Sequence, residues 1–301
     1  MAPVALEYRG EVTLAAKATG ATVKLRCDEF GKACVVKTYK KSLRPKSALL
    51  ERAALKHLCH PLIASLLRTA SDEDHLFVVL EAALGGPLQR HIAKAGRLPL
   101  SAARYYAAQV AVAVDHVHAQ RVIHRDLKAS NVVLDDRGRV KLVDFGAAAV
   151  LESCDDERST LCGTPHAMAP EMIRRQKYGC GVDWWALGVL FAEMLGGRPP
   201  FWDEDESRLE AKILRGDAAL PDVGDADTAA VLRTLLSHES RARRSARERH
   251  AGWFGHGGFS WSNIVDAPPP PFCADLGYLD WIEDMKQDDD DHDHGGAFDG
   301  F

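Results

Sequence analysis

Apolar and polar positions change their period along the chain, and the change divides it. From Tyr8 to Tyr39 apolar residues recur in short runs, Glu11 to Ala15, Thr22 to Cys27 and Ala33 to Tyr39. Turn residues at Thr19-Gly20 and Glu29-Phe30-Gly31 separate them, which predicts an antiparallel meander. Behind Pro45 the period lengthens: Leu49, Leu50, Ala53, Ala54 and Leu58 recur near 3.6 and predict a helix from Ser47 to Leu58, ended by His60-Pro61. Leu76 to Leu80 is a continuous apolar run and reads as a buried strand. Glu81-Ala82-Ala83-Leu84-Gly85-Gly86 then reads as a flexible joint.

Beyond the joint the pattern is helical. After Leu100, with Ser101 as N-cap, the segment to His118 carries Tyr106, Val110, Ala113, Val114 and Val117 on one stripe. His116 and His118 on it read as structural residues rather than ligands. Val182 to Leu195 is apolar nearly all round except for Asp183 and Glu193, the mark of a helix deep inside a large domain. Leu209 to Leu236 reads as further helices around the loop Leu220-Pro221-Asp222. From Gly255 the composition shifts to Gly, Pro and Asp; Ala267 to Pro271 reads as polyproline II, and Asp288 to Asp291 cannot fold alone. The expected organisation is a small β-rich lobe over residues 1–80, the joint and a mainly helical lobe over 81–254, and a tail over 255–301. The fold class is α+β.

Composition narrows this picture. Of 301 residues 46% are apolar, enough for a substantial core. No apolar run reaches membrane-spanning length, and the N-terminus lacks the pattern of a signal peptide. Ala2 is also incompatible with N-myristoylation. The net charge of -5 is more than accounted for by seven acids and one lysine between Glu283 and Asp293, so the body offers no field for nucleic acid or membrane. Arg241, Arg243, Arg244, Arg247 and Arg249 read as surface and structural residues. Seven cysteines without paired short spacings fit free thiols in the cytoplasm or nucleus.

The chemistry is concentrated in one stretch. His124-Arg125-Asp126-Leu127-Lys128-Ala129-Ser130-Asn131 is followed by Asp144-Phe145-Gly146 and then Ala169-Pro170-Glu171. In this order the three resemble the catalytic loop, metal loop and closing motif of protein kinases, which implies the two-lobed protein-kinase fold. Transfer of a phosphoryl group from ATP demands positioning and electrostatic stabilisation. Under this resemblance Asp126 orients the substrate hydroxyl, Lys128 sits beside the transferring group, and Asn131 and Asp144 hold magnesium. Lys37, in Cys34-Val35-Val36-Lys37, resembles the strand lysine that clamps the α and β phosphates, with Glu51 on the following helix as its ion-pair partner. Backbone groups at Glu81 and Ala83 would meet the adenine edge. Asp183, as a buried acid, needs hydrogen-bond donors, and catalytic-loop N–H groups bracing Arg125 and Asp126 are the expected ones. Arg243 stands where kinases place the arginine that pairs with Glu171.

The phosphate loop departs from the pattern. Counted back from Lys37, the glycine-rich element falls on Ala16-Lys17-Ala18-Thr19-Gly20-Ala21-Thr22-Val23, with alanine at Ala16, Ala18 and Ala21, where kinases have glycine. Val23 fits, and Gly20 restores freedom at the tip. Methyl groups restrict close backbone approach, so weakened ATP affinity is expected. A second reading follows from this: a catalytically impaired pseudokinase, a scaffold or regulatory partner that keeps the nucleotide cleft.

From about Leu6 to Phe301 the chain resembles the AGC group of serine/threonine kinases, in its cyclic-nucleotide-dependent branch. Thr160-Leu161-Cys162-Gly163-Thr164-Pro165, Val182-Asp183-Trp184-Trp185-Ala186-Leu187-Gly188 and Phe298-Asp299-Gly300-Phe301 carry the resemblance. Leu80 to Gly86, Asp136-Arg137-Gly138, Lys141 to Gly146 and Ile213 to Asp217 look closer to cGMP-dependent kinases than to the cAMP-dependent catalytic subunit. The resemblance implies protein serine/threonine substrates, with Lys128 and Thr164 setting that specificity, and Thr160 as an activating phosphosite paired with Arg125. It also implies a terminal hydrophobic motif, Phe298 and Phe301, docking beside the Glu51 helix. A cyclic-nucleotide-binding regulatory subunit is an implied partner of a monomeric catalytic unit. Of the acids that related kinases direct at arginines in their substrates, Glu193 is retained. Pro87, Ser130 and His166-Ala167 replace others, so the resemblance does not by itself imply a preference for basic peptides.

Overall fold

Five antiparallel strands build the small lobe: β1 (Arg9–Ala16), β2 (Ala21–Cys27), β3 (Ala33–Lys40), β4 (Leu66–Ser71) and β5 (His75–Glu81), in the spatial order β1-β2-β3-β5-β4. The computed structural model describes residues 9–16, 21–27, 31–43, 45–153, 156–254 and 263–269. The first three strands form the expected meander. β5 then inserts beside β3 and displaces β4 to the edge, where its exposed Arg68, Thr69 and Ser71 explain why no apolar run announces it. β3 is central and covered on both faces: Cys34 and Val36 pack with Val79 on one, while Lys37 and Tyr39 face the other.

Helix α1 (Lys46–Leu55) joins β3 to β4 and ends a turn short of the expected Leu58. Its buried face is Ala48, Glu51, Ala54 and Leu55, whereas Leu49 is 58% exposed. The apolar stripe expected through Leu49 is thus rotated, because the inward face must carry Glu51 to Lys37.

After the joint come β6 (Gly86–Pro87), α2 (Leu88–Ala95) and the long α3 (Leu100–Ala119). Pro99, not Ser101, takes the N-cap position of α3, and Ser101 lies within its first turn, so Ser101 is no cap. Tyr106, Val110, Ala113, Val114 and Val117 are all buried, as the stripe predicts, but so are Tyr105, Ala107, Ala108 and Ala111. α3 is a core helix on nearly every side. Short strands β7 (Val122–Ile123), β8 (Val132–Leu134), β9 (Val140–Leu142) and β10 (Ala149–Val150) lie across it and carry the loops of the site. Helices α4 (Pro170–Ile173), α5 (Gly181–Gly196), α6 (Glu206–Arg215), α7 (Ala226–Leu235) and α8 (Ser240–Arg244) complete the large lobe.

Residues 263–269 return to α3. Ile264 is fully buried, and its carbonyl accepts from Gln109 Nε2 at 3.0 Å, while the Ala267 carbonyl accepts from Tyr105 Oη at 2.9 Å. The Gln109 side-chain oxygen accepts in turn from the Val140 amide at 2.8 Å, so a fully buried amide is satisfied at both ends and ties this segment to β9.

Candidate active site

The catalytic loop is suspended between β7 and β8 and held from below by α5. Asp183 is 0% exposed; it accepts from the His124 amide and from His118 Nε2 through Oδ2, and from the Arg125 amide through Oδ1, each at 2.8 Å. Burial alone would raise its pKa, but the His118 hydrogen bond, the nearby imidazoles and the amide donors hold it below the ordinary carboxylate value. The brace supports Arg125 at φ of 68°, while Asp144, at φ of 64°, is met by Lys37 and its turn by Glu51; both are left-handed conformations that non-glycine residues rarely keep without surrounding support. His118 is structural, as expected.

Asp126 is oriented by three side chains. Thr164 Oγ1 donates to its Oδ1 at 2.7 Å, Asn131 Nδ2 donates to its Oδ2 at 3.0 Å, and Lys128 Nζ stands 3.2 Å from Oδ2. Lys128 also donates to Thr164 Oγ1 at 2.7 Å, which links the activation segment to the catalytic loop. Gly163 makes that contact sterically feasible: at φ of 96° a Cβ there would collide with the Arg125 carbonyl oxygen.

Above them, Lys37 Nζ lies between two carboxylates, 2.6 Å from Glu51 Oε1 and 2.9 Å from Asp144 Oδ1. Burial works against its charge, but Glu51 and then Asp144 override it and hold the ammonium above its ordinary pKa. Glu51 Oε1 also accepts from the Phe145 amide at 3.2 Å, joining α1 to the Asp144 turn. Ala21 and Val23 are buried in the sheet above, and Ala16 closes β1 opposite Thr22. Ala18, Gly20, Phe298 and Phe301 lie outside the described residues.

At the joint, the Glu81 amide donates to the Ser65 carbonyl at 2.9 Å and is thereby committed within the small lobe. Its carboxylate takes Lys141 Nζ at 2.6 Å and the Ser65 amide at 3.1 Å. Burial would raise the Glu81 pKa, but these donors depress it. Ala83 is half-buried in the same segment.

The oxygens offered to a cation are those of Asn131 and Asp144. Asn131 spends its amide nitrogen on Asp126, which leaves its carbonyl oxygen for an ion. Among the described residues no cluster of three or more His, Cys, Asp or Glu forms a metal cage. Two hard oxygen ligands completed by phosphate and water match magnesium, which keeps much of its shell outside the protein.

At the activation segment Tyr178 stands between Arg125 and Thr160. Thr160 is exposed, and Arg125 is not directed at its side chain. Arg125 donates instead to the carbonyls of Ala147 at 2.7 Å and Ala148 at 3.1 Å, and to Tyr178 Oη at 3.1 Å. Tyr178 in turn donates to the Thr160 carbonyl at 2.5 Å. The phenol thus links Arg125 to the Thr160 backbone, and the Thr160 side chain stays exposed. Two acids of this segment lie near cations: Asp156 is 4.0 Å from Arg158 and Glu157 3.9 Å from Lys177.

Arg243 pairs with Glu171 as expected, is 0% exposed, and donates to the carbonyls of Gly181 at 2.9 Å and Ser237 at 2.7 Å. Glu193, near the end of α5, is half-buried, and burial pushes its carboxyl up to about 7. Sequence reasoning missed Tyr39, Tyr178 and Lys141. Of these only Tyr39 carried a local signal: it stands two residues after Lys37 on a strand and so shares its face.

Two lobes around a cleft, a strand lysine paired with a helix glutamate, and a braced aspartate opposite define a protein kinase. Comparison with known sequences agrees: the protein kinase domain family matches residues 15–254, and the chain belongs to it. It is 37% identical over 214 residues to the cAMP-dependent protein kinase catalytic subunit of Dictyostelium discoideum, covering 71% of this chain and 33% of that one. It is 36% identical over 234 residues to the mouse cAMP-dependent protein kinase catalytic subunit PRKX, covering 75% and 64%. With serine/threonine-protein kinase Sgk3 of Rattus norvegicus identity is 34% over 265 residues, covering 85% and 53%. These relatives are AGC-group kinases, and the chain spans between about a third and two thirds of their length.

Proposed function

We propose that the chain transfers the γ-phosphoryl group of ATP to serine or threonine hydroxyls of proteins. The observation that carries this is the double fixation of the site: Asp126 held through both oxygens, and Lys37 held between Glu51 and Asp144. Asp126 orients the hydroxyl and receives its proton, Lys128 faces the transferring group, and Lys37 holds the α and β phosphates. Glu81 and Ala83 would lie against adenine. Asn131 and Asp144 would hold magnesium, which when bound neutralises charge on the phosphate oxygens. The names of the relatives support protein substrates. A cyclic-nucleotide-binding regulatory subunit is proposed from the words "catalytic subunit" in the names of the cAMP-dependent relatives, and a monomeric catalytic unit in the cytoplasm or nucleus is proposed from the sequence alone. A thermal-shift titration tests the cleft: ATP with magnesium is expected to raise the melting temperature, and Lys37→Met to abolish the rise. An unshifted wild-type transition would contradict nucleotide use.

Because Tyr178 already bridges Arg125 to Thr160, Thr160→Ala is expected to retain kcat within about threefold, less than the loss of one charged hydrogen bond. A loss of about tenfold or more would restore Thr160 as a required phosphosite.

Glu193 gives a pH-dependent specificity. Its raised pKa leaves it largely neutral below about 7 and charged above. The KM for arginine-containing peptides should therefore fall as pH rises through that value, and Glu193→Gln should flatten the profile. In the free chain the raised pKa has the opposite sign for stability. The folded state binds the proton more tightly than the unfolded one, so Glu193 disfavours folding progressively as pH rises toward 7.

A further inference from the structure

Glu51 presents two oxygens, and the catalytic lysine takes only one. Oε1 receives Lys37 Nζ at 2.6 Å and the Phe145 amide at 3.2 Å; Oε2 receives the hydroxyl of Tyr39 at 3.1 Å. The carboxylate is 0% exposed, so neither oxygen can turn to water and each needs a donor from the protein. Tyr39 is 4% exposed, its ring is packed in the main core, and its place on β3 puts it on the same side as Lys37.

We propose that Tyr39 is a positioning residue for phosphoryl transfer, whose hydroxyl holds the second oxygen of Glu51 and thereby fixes helix α1, the Phe145 amide and Lys37 in the working arrangement. The inference rests on the kinase reading above. Burial, reinforced by the Glu51 charge, raises the Tyr39 pKa, so the phenol remains a donor wherever the carboxylate is an acceptor. Geometry explains why such a hold is useful. α1 is ten residues long, has no side-chain cap at its N-terminus, and leaves Leu49 exposed on its outer face. The Tyr39 bond grips the helix from the sheet side at its middle. One strand therefore supplies both the lysine and the group that keeps the lysine's partner in place.

Tyr39→Phe tests this, since it keeps the ring in the core and removes only the hydroxyl. The expected result is a fall in kcat of about tenfold, the scale of one hydrogen bond to a buried charge, with the KM for peptide changed less than about twofold. Amide exchange at Phe145 and along α1 should accelerate by about tenfold in the same variant. In a Glu51→Gln background the substitution should lower kcat by less than about threefold, because the charged acceptor is already gone. Val36→Ala, which loosens packing on the other face of β3, serves as the control: it should lower the melting temperature while leaving kcat and Phe145 exchange near wild type. Wild-type kcat and exchange in Tyr39→Phe would overturn the proposal, and so would equal effects from Val36→Ala. Should the wild-type chain transfer no phosphate while Tyr39→Phe still accelerates exchange at Phe145, the hold of Tyr39 on Glu51 and α1 stands, and the kinase reading fails together with the role in phosphoryl transfer.

Discussion

Asp126→Ala is expected to lower kcat by about 10³-fold, within the range seen when a positioned acid–base group is removed, while the chain stays folded. The expectation of an intact fold follows from the geometry. Thr164 and Lys128 remain hydrogen-bonded to each other at 2.7 Å without Asp126, and Asn131 still reaches the Asp126 carbonyl at 2.7 Å. Asp183, which holds the loop, bonds to His124 and Arg125 and does not touch the substituted side chain. Steady-state kinetics beside a melting curve checks both halves. A variant with wild-type turnover would remove Asp126 from the chemistry.

Arg243→Met has the largest expected effect on stability, a loss of about 3–5 kcal/mol, because it leaves one partner of a buried ion pair without its counter-charge. Arg243 is fully buried and joins α8 to Glu171 on α4 and to the Gly181 carbonyl at the start of α5. Its guanidinium also lies 5.7 Å from the Trp185 ring centroid, and Trp185 stacks on Phe201 at 10°. Glu171 Oε2 already lacks a hydrogen-bond partner among the described residues, so removing Arg243 strands the whole carboxylate. Urea unfolding measures the loss, and Arg243→Met combined with Glu171→Gln should recover part of it. Wild-type stability in the single variant would show the pair to be dispensable.

What the sequence disclosed and what it hid follow from the range of the interactions. The residues of the catalytic loop, Asp144, Lys37 and Glu51 are legible because phosphoryl transfer constrains their types and spacing. β1 to β3, α3 and α5 are legible because burial imposes a period. β4 is hidden because an edge strand needs no apolar run. The inward face of α1 is misread because the residue that decides it is a charged one, turned in to meet Lys37. The Arg125–Tyr178 and Glu81–Lys141 contacts join residues 53 and 60 positions apart, and no local pattern announces them. Tyr178 links Arg125 to the Thr160 carbonyl through its hydroxyl, a contact to the backbone that no residue pattern announces.

The most direct measurement is transfer of label from γ-labelled ATP, with magnesium, to mixed serine-, threonine- and tyrosine-containing peptides by the wild-type chain and by Asp126→Ala side by side. Label on serine or threonine from the wild type, with about 10³-fold less from the variant, is the result predicted. Magnesium-ATP that raises the melting temperature of the wild-type chain without any transfer of label would contradict the account and leave a nucleotide-binding scaffold in its place.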